Sequence, residues 1–274
     1  MSLPKSVILY CAGSFNPITN KHLRLLELAR DALHKTGQYK VVKGILVPAN
    51  AKYAKDNLVA AHHRLAMVKL AVDSNAWLCT DSWEVEQSQW PPTAVALDAL
   101  KDRIQDGTVS QCIYNGSAAV ESDSSTQLKR KRPNDTNSHE SSEETDVFAR
   151  HKSAKIMLVC GSDLLRSFSV PDLWAKEHME QILRDHGLVV VVREGSDPYQ
   201  DIYSSDMISK YSHNIHIVTD WLGDDFSSTK IRTAIRRNES IKYAVPEPVL
   251  EYILKHKLYN PNYRPGFPYP SSEW

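Results

Sequence analysis

The sequence predicts a doubly wound α/β domain on a parallel sheet, and three observations carry that reading. Short β-branched apolar runs recur at residues 6–12, 40–47, 77–81, 155–160, 188–193 and 214–219. Stretches of helical period lie between most of them, as in a parallel sheet wrapped by helices. Of 274 residues, 42% are hydrophobic and 24% charged, enough for one large α/β domain or two small ones. The 33 Lys and Arg balance the 33 Asp and Glu, so the broad cationic face of a dedicated nucleic-acid or membrane-surface binder is not expected.

The first run ends at Gly13 and leads into a helix that either Thr19 or Asn20 can cap, with Leu23, Leu26, Ala29, Ala32 and Leu33 on one face. Further helices are expected at 60–72, 94–104, 173–183, 228–237 and 248–257. Residues 107–153 break the pattern, being rich in Ser, Thr, Asn, Asp and Glu. Such a stretch buries too little surface to offset its ordering entropy, which predicts a disordered insert within a single domain spanning 1–260. A Pro- and Tyr-rich tail, 261–274, is expected to lie on the surface. The apolar run at 7–9 is too short for a signal-peptide core or a membrane span, so an intracellular chain is expected. Cys11, Cys79, Cys112 and Cys160 form no CxxC pair and the eleven histidines no HExxH, so free thiols and no protein-held metal are expected. Inside the insert, Lys129-Arg130-Lys131-Arg132-Pro133 has the accessible cationic form that a nuclear-import receptor reads.

Two segments carry chemistry. Gly13-Ser14-Phe15-Asn16-Pro17-Ile18-Thr19-Asn20-Lys21-His22 joins the first strand to the first helix, where free backbone N–H groups favour phosphate oxygens, Gly13 permits close approach and His22 reaches the same anion. Phe226-Ser227-Ser228-Thr229-Lys230-Ile231-Arg232 follows the last strand and opens another helix, with hydroxyls at its cap and cations in its first turn. Two such helix starts, read as lying at opposite ends of the sheet, suit a substrate with a polyphosphate chain. A P-loop and the glycine pattern of dinucleotide-dependent dehydrogenases are both absent from the sequence.

These segments resemble the two signatures of the nucleotidyltransferase superfamily, the first written [His/Thr]-x-x-His. Together with Val41-Val42-Lys43-Gly44-Ile45, Trp90 with Thr93, Gly161-Ser162-Asp163-Leu164-Leu165 and Pro171-Asp172-Leu173-Trp174, the chain is similar to the animal nicotinamide mononucleotide adenylyltransferases, particularly the nuclear type. The resemblance covers nearly all of the chain outside the insert and tail. It implies a Rossmann-like fold, a nuclear location and self-association. It also implies adenylyl transfer from ATP to nicotinamide mononucleotide, and to nicotinic acid mononucleotide, giving NAD and pyrophosphate with Mg²⁺ on the triphosphate.

By the same resemblance His22, Ser14 and Arg232 act in catalysis, and Gly13, Phe15, Ser227, Ser228 and Thr229 complete the phosphate cradle. Lys55 reaches the mononucleotide phosphate, Trp90 and Trp174 wall the pyridine beside Thr93, and Asp163 accepts a ribose hydroxyl. Gly161 and Leu173 flank that base and ribose site, and Arg193 lies toward the adenine. No general base is assigned. One departure stands out: Asp224 occupies a position where the family has Asn, and an ionised Asp only accepts hydrogen bonds. Two other readings stay open: a transferase of adenylyl or cytidylyl groups to another phosphate acceptor, or a nucleotide-binding chaperone with secondary catalysis.

Overall fold

The computed structural model describes residues 3–53, 55, 57–109, 147–193, 195–223 and 226–265. Its strands are β1 (Lys5–Gly13), β2 (Tyr39–Pro48), β3 (Leu78–Thr80), β4 (Lys155–Gly161), β5 (Leu188–Val192) and β6 (Ile215–Thr219). They form one six-stranded sheet in the order β3-β2-β1-β4-β5-β6, with every neighbouring pair parallel. The chain winds outward from β1 in both directions. A crevice therefore opens at the carboxyl ends of β1 and β4, where that direction reverses.

The first apolar run is continuous rather than alternating because both faces of β1 are covered. Val7, Leu9 and Cys11 pack with Leu26, Ala29 and Leu33 of α1 (Asn20–Lys35) and with Met67 and Val68 of α2 (Ala61–Val72). Ile8 and Tyr10 meet Leu97, Leu100 and Ile104 of α3 (Thr93–Asp106) on the other side. Gly44 of β2 lets β3 come close: a Cβ there would lie 2.6 Å from Leu78 and 2.7 Å from Trp77. The later helices that bear on the site include α4 (Ser162–Ser167), α5 (Ser228–Arg236) and α6 (Glu247–Lys255).

Three expectations change in detail. The helix expected at 173–183 starts at Lys176, because Pro171 to Leu173 form a turn with Asp172 at a left-handed φ of 59°. The edges of the 107–153 range are packed: Val109 and Phe148 are buried in one core cluster. Within the tail range, Tyr263 is buried, its ring in the core and its hydroxyl donating to the Glu239 carbonyl at 3.1 Å.

Residues 110–146, with Cys112 and Lys129 to Arg132, lie outside the described residues, as do Asp224 and 266–274. Cys11, Cys79 and Cys160 are free and buried. Among the described residues no helix is long and apolar enough to cross a membrane.

Candidate active site

The loop after β1 is held by its own side chains. Phe15 sits at φ 41° with its ring buried, edge-on to the His22 imidazole at 5.2 Å between centroids. Asn16 is buried and ties three segments together. Its amide donates to the Asn57 carbonyl at 2.9 Å, and its Oδ1 accepts from the Val59 N–H at 3.2 Å and from the Tyr259 hydroxyl at 3.0 Å.

His22 stands at the third position of α1, whose N-cap is Thr19. The Thr19 backbone N–H donates to His22 Nδ1 at 3.0 Å. A nitrogen that accepts carries no proton, so the hydrogen of the neutral ring is on Nε2. Burial above all, then the charges of Arg193, Lys21 and Lys55, hold this imidazole down to about 4. At neutral pH the group is therefore a fixed neutral N–H donor at the positive end of a helix, a combination that suits phosphate oxygens, although the backbone N–H groups of Asn20 and His22 are taken by the Ala244 and Thr19 carbonyls, each at 3.0 Å.

The second signature meets the first instead of lying at the opposite end of the sheet. The Ser228 hydroxyl donates to the Pro17 carbonyl at 2.8 Å. Arg232 donates to the Asn16 carbonyl at 2.8 Å and to the Thr229 hydroxyl at 3.3 Å. Ser227 caps α5 by accepting from the Lys230 N–H at 3.2 Å. Although β6 is the sheet edge, α5 returns to the carboxyl end of β1, so Arg232 and the His22 loop form one surface.

The remaining candidates lie on segments that follow strands β2 to β5. Asp163, in the first turn of α4, pairs with Arg193 just past β5, and both side chains are more than half exposed, so the pair is weak and free to open. A cavity of about 480 Å³ lies beyond it, lined by Lys21 and Leu25 of α1, Arg193, Thr219, Trp221 and Gly223. Its size and mixed lining fit a nucleoside. Lys55 is exposed on the loop after β2. Trp90 is 41% exposed, 5.4 Å from the Tyr53 ring, just before Thr93 opens α3. Trp174 is half-buried, donates to the Ser167 hydroxyl at 3.0 Å and meets Phe168 edge-on at 4.9 Å. Leu173 beside it is 60% exposed. Gly161 ends β4 and stands at the N-cap of α4.

Sequence reasoning missed Arg64. It lies in α2 with 0% exposure, and its guanidinium donates to the carbonyls of Val59 at 3.1 Å, Ser14 at 2.9 Å and Asn50 at 3.4 Å. One cation thus joins the loops after β1 and β2. Burial lowers its pKa, while Tyr259 and Glu84 act the other way.

A family model described as cytidylyltransferase-like matches residues 10–234. A nicotinamide/nicotinic acid mononucleotide adenylyltransferase 1 of Bos taurus is 41% identical over 93% of this chain and 89% of its own. A nicotinamide-nucleotide adenylyltransferase of Drosophila melanogaster is 38% identical over 94% of this chain, which spans 62% of that protein. Among solved structures, the Plasmodium falciparum nicotinic acid mononucleotide adenylyltransferase complexed with APC shares the fold, at 17% identity and a TM-score of 0.53, covering 93% of this chain and 97% of its own. The fold and the two joined signatures define a nucleotidyltransferase of the cytidylyltransferase-like class. Within that class the chain belongs to the nicotinamide/nicotinic acid mononucleotide adenylyltransferase family.

Proposed function

We propose that this chain transfers the adenylyl group of ATP to nicotinamide mononucleotide, and to nicotinic acid mononucleotide, releasing pyrophosphate. In this reaction a phosphate oxygen of the mononucleotide attacks the α-phosphorus of ATP, and the bond from that phosphorus to the β-phosphate bridging oxygen breaks. The nucleophile is already ionised, so no side chain need remove a proton. The protein's task is to align two anions and stabilise charge growing on pyrophosphate. The single observation that carries the reading is the joined surface of His22 Nε2–H, the α1 N-terminus and Arg232.

In this reading His22 donates to the departing phosphates at the positive end of α1, with Gly13 and Phe15 shaping the loop around them. Ser14, Thr229 and Arg232 close the cradle, with Ser227 and Ser228 fixing the start of α5. Lys55 meets the mononucleotide phosphate. Trp90, Trp174, Thr93 and Leu173 receive the pyridine, Gly161 and Asp163 the ribose, and Arg193 the adenine side. The donors near the phosphates are N–H groups, hydroxyls and cations, which suit anionic oxygen rather than a metal. Mg²⁺ accordingly belongs to the substrate, entering on ATP. Formation of the dinucleotide and pyrophosphate in equal amounts from ATP, Mg²⁺ and mononucleotide tests the proposal, and absence of turnover with either mononucleotide refutes it.

The proposal extends to the cell. Lys129, Arg130, Lys131 and Arg132 suit an import receptor, which supports a nuclear location; replacing all four by Ala should move a fluorescent fusion to the cytoplasm without changing turnover. Unaltered nuclear accumulation would sink that reading. Self-association is tested by light scattering of the purified chain, where a monomer at micromolar concentration refutes it.

A further inference from the structure

The loops that follow β2 and β3 are fastened to each other by one side chain that the proposed chemistry does not use. Asn50 is 1% exposed, and every polar group it carries is engaged. Its side-chain amide donates to the backbone carbonyls of Glu84 at 2.8 Å and Gln87 at 2.7 Å, across 34 and 37 residues of sequence. Its backbone N–H donates to Glu84 Oε1 at 3.2 Å. Its Oδ1 accepts from the Lys52 N–H at 2.8 Å, and its carbonyl accepts from the Tyr53 N–H at 3.2 Å and from Arg64 at 3.4 Å.

Each side of that fastening carries a candidate for the mononucleotide site. On one side the Asn50 turn runs on to Lys55, whose N–H donates to the Tyr53 carbonyl at 2.8 Å. On the other, Glu84 lies in the short helical turn Trp83–Glu86, and Gln87 closes it by donating from its side-chain amide to the Trp83 carbonyl at 2.8 Å. Trp90 comes three residues later, 41% exposed, with its ring 5.4 Å from that of Tyr53 on the Asn50 turn. Asn50 therefore sets the separation between a cation and an aromatic ring that belong to different loops.

We infer that Asn50 is a positioning residue for the mononucleotide, holding the loops of Lys55 and Trp90 at a fixed separation so that the phosphate and the pyridine of one ligand are gripped together. The inference rests on the proposed function, in which Lys55 meets the phosphate and Trp90 the pyridine. Two contacts at a fixed spacing reinforce each other, because the second forms without further ordering of the chain once the first is made. When the loops move independently, that ordering falls to the binding step, and a ligand that spans both loops loses affinity. A ligand that touches one loop alone does not.

The test measures dissociation constants by titration calorimetry in the wild type, Asn50→Ser, Lys55→Ala and the double variant. The ligands are nicotinamide mononucleotide, nicotinamide riboside, which lacks the phosphate, and ATP with Mg²⁺. Serine keeps an acceptor for the Lys52 N–H but has a single donor, so it cannot serve both carbonyls. Asn50→Ser should weaken the mononucleotide about 10-fold, the scale of two neutral hydrogen bonds, and leave the riboside and ATP within about 2-fold. With Lys55→Ala the phosphate grip is gone, so adding Asn50→Ser should change mononucleotide binding by less than about 2-fold.

Equal losses for mononucleotide and riboside would overturn the inference, since Asn50 would then shape the pyridine loop alone. Independent, multiplying effects in the double variant would overturn it too. Should Asn50→Ser fail to fold, the isosteric Asn50→Asp carries the comparison. Its added charge weakens ATP and mononucleotide alike, so a mononucleotide loss beyond that of ATP supports the inference and equal losses overturn it. A wild type that forms the dinucleotide while Asn50→Ser binds mononucleotide as tightly overturns this inference alone. A wild type without turnover overturns the proposed function itself.

Discussion

His22→Asn separates the two ends of one imidazole. Asn offers an oxygen near the place of Nδ1, so the Thr19 N–H that donates there at 3.0 Å keeps an acceptor. It offers nothing at the place of Nε2, the atom that the proposed function makes the donor to the departing phosphates. Loss of one preorganised donor to charge that grows in the transition state costs about 3–4 kcal/mol, or about 10²–10³ in kcat. The helix cap is retained, so the urea midpoint should stay near the wild type. His22→Ala should lose the same turnover and in addition about 1 kcal/mol of stability, the typical value of a cap. Steady-state kinetics and denaturation of the two variants provide the check. A kcat within about 3-fold of wild type in His22→Asn would refute the role given to Nε2.

The same histidine sets a pH signature: its folded pKa of about 4 lies below the unfolded value of 6.5, so its contribution to stability is full above pH 6.5 and drains away as pH falls through 4. Wild type should lose up to about 3 kcal/mol relative to His22→Asn across that window, less where water screens the ring, and parallel urea midpoints would contradict it. For the same reason kcat/KM should show no limb near pH 6.5 that His22→Asn removes. Arg64→Met leaves three loop carbonyls without their donor and should cost about 3–5 kcal/mol by urea denaturation, together with weaker mononucleotide binding; a change under about 0.5 kcal/mol would contradict its bridging role. Gly44→Ala drives a methyl against Leu78 and Trp77 and should destabilise by about 1–3 kcal/mol, while an unchanged melting temperature would mean that β3 yields freely.

The sheet was legible because each strand is a bounded apolar run, and β1, buried on both faces, gives the strongest of these. The start of α1 was legible for a local reason, a Thr followed by a helical stripe. Residue spacing could not show that Ser228 and Arg232 reach Pro17 and Asn16, since those bonds span 211 and 216 residues. Arg64 reads as a surface cation on a helix, and only the arrival of three distant carbonyls makes its burial tolerable. Glu84 was hidden in the same way, because its buried carboxylate accepts from the Asn50 N–H, which no local pattern connects to it. The late start of the helix at Lys176 follows from Asp172, a left-handed residue that helical periodicity does not register.

The adenylyl transfer is tested by a product assay on the purified chain with ATP, Mg²⁺ and nicotinamide mononucleotide, run beside His22→Asn. The wild type should form NAD and pyrophosphate in equal amounts, and the variant should lose about 10²–10³ of that turnover. Pyrophosphate release that does not require the mononucleotide, or equal turnover by the two proteins, would contradict it.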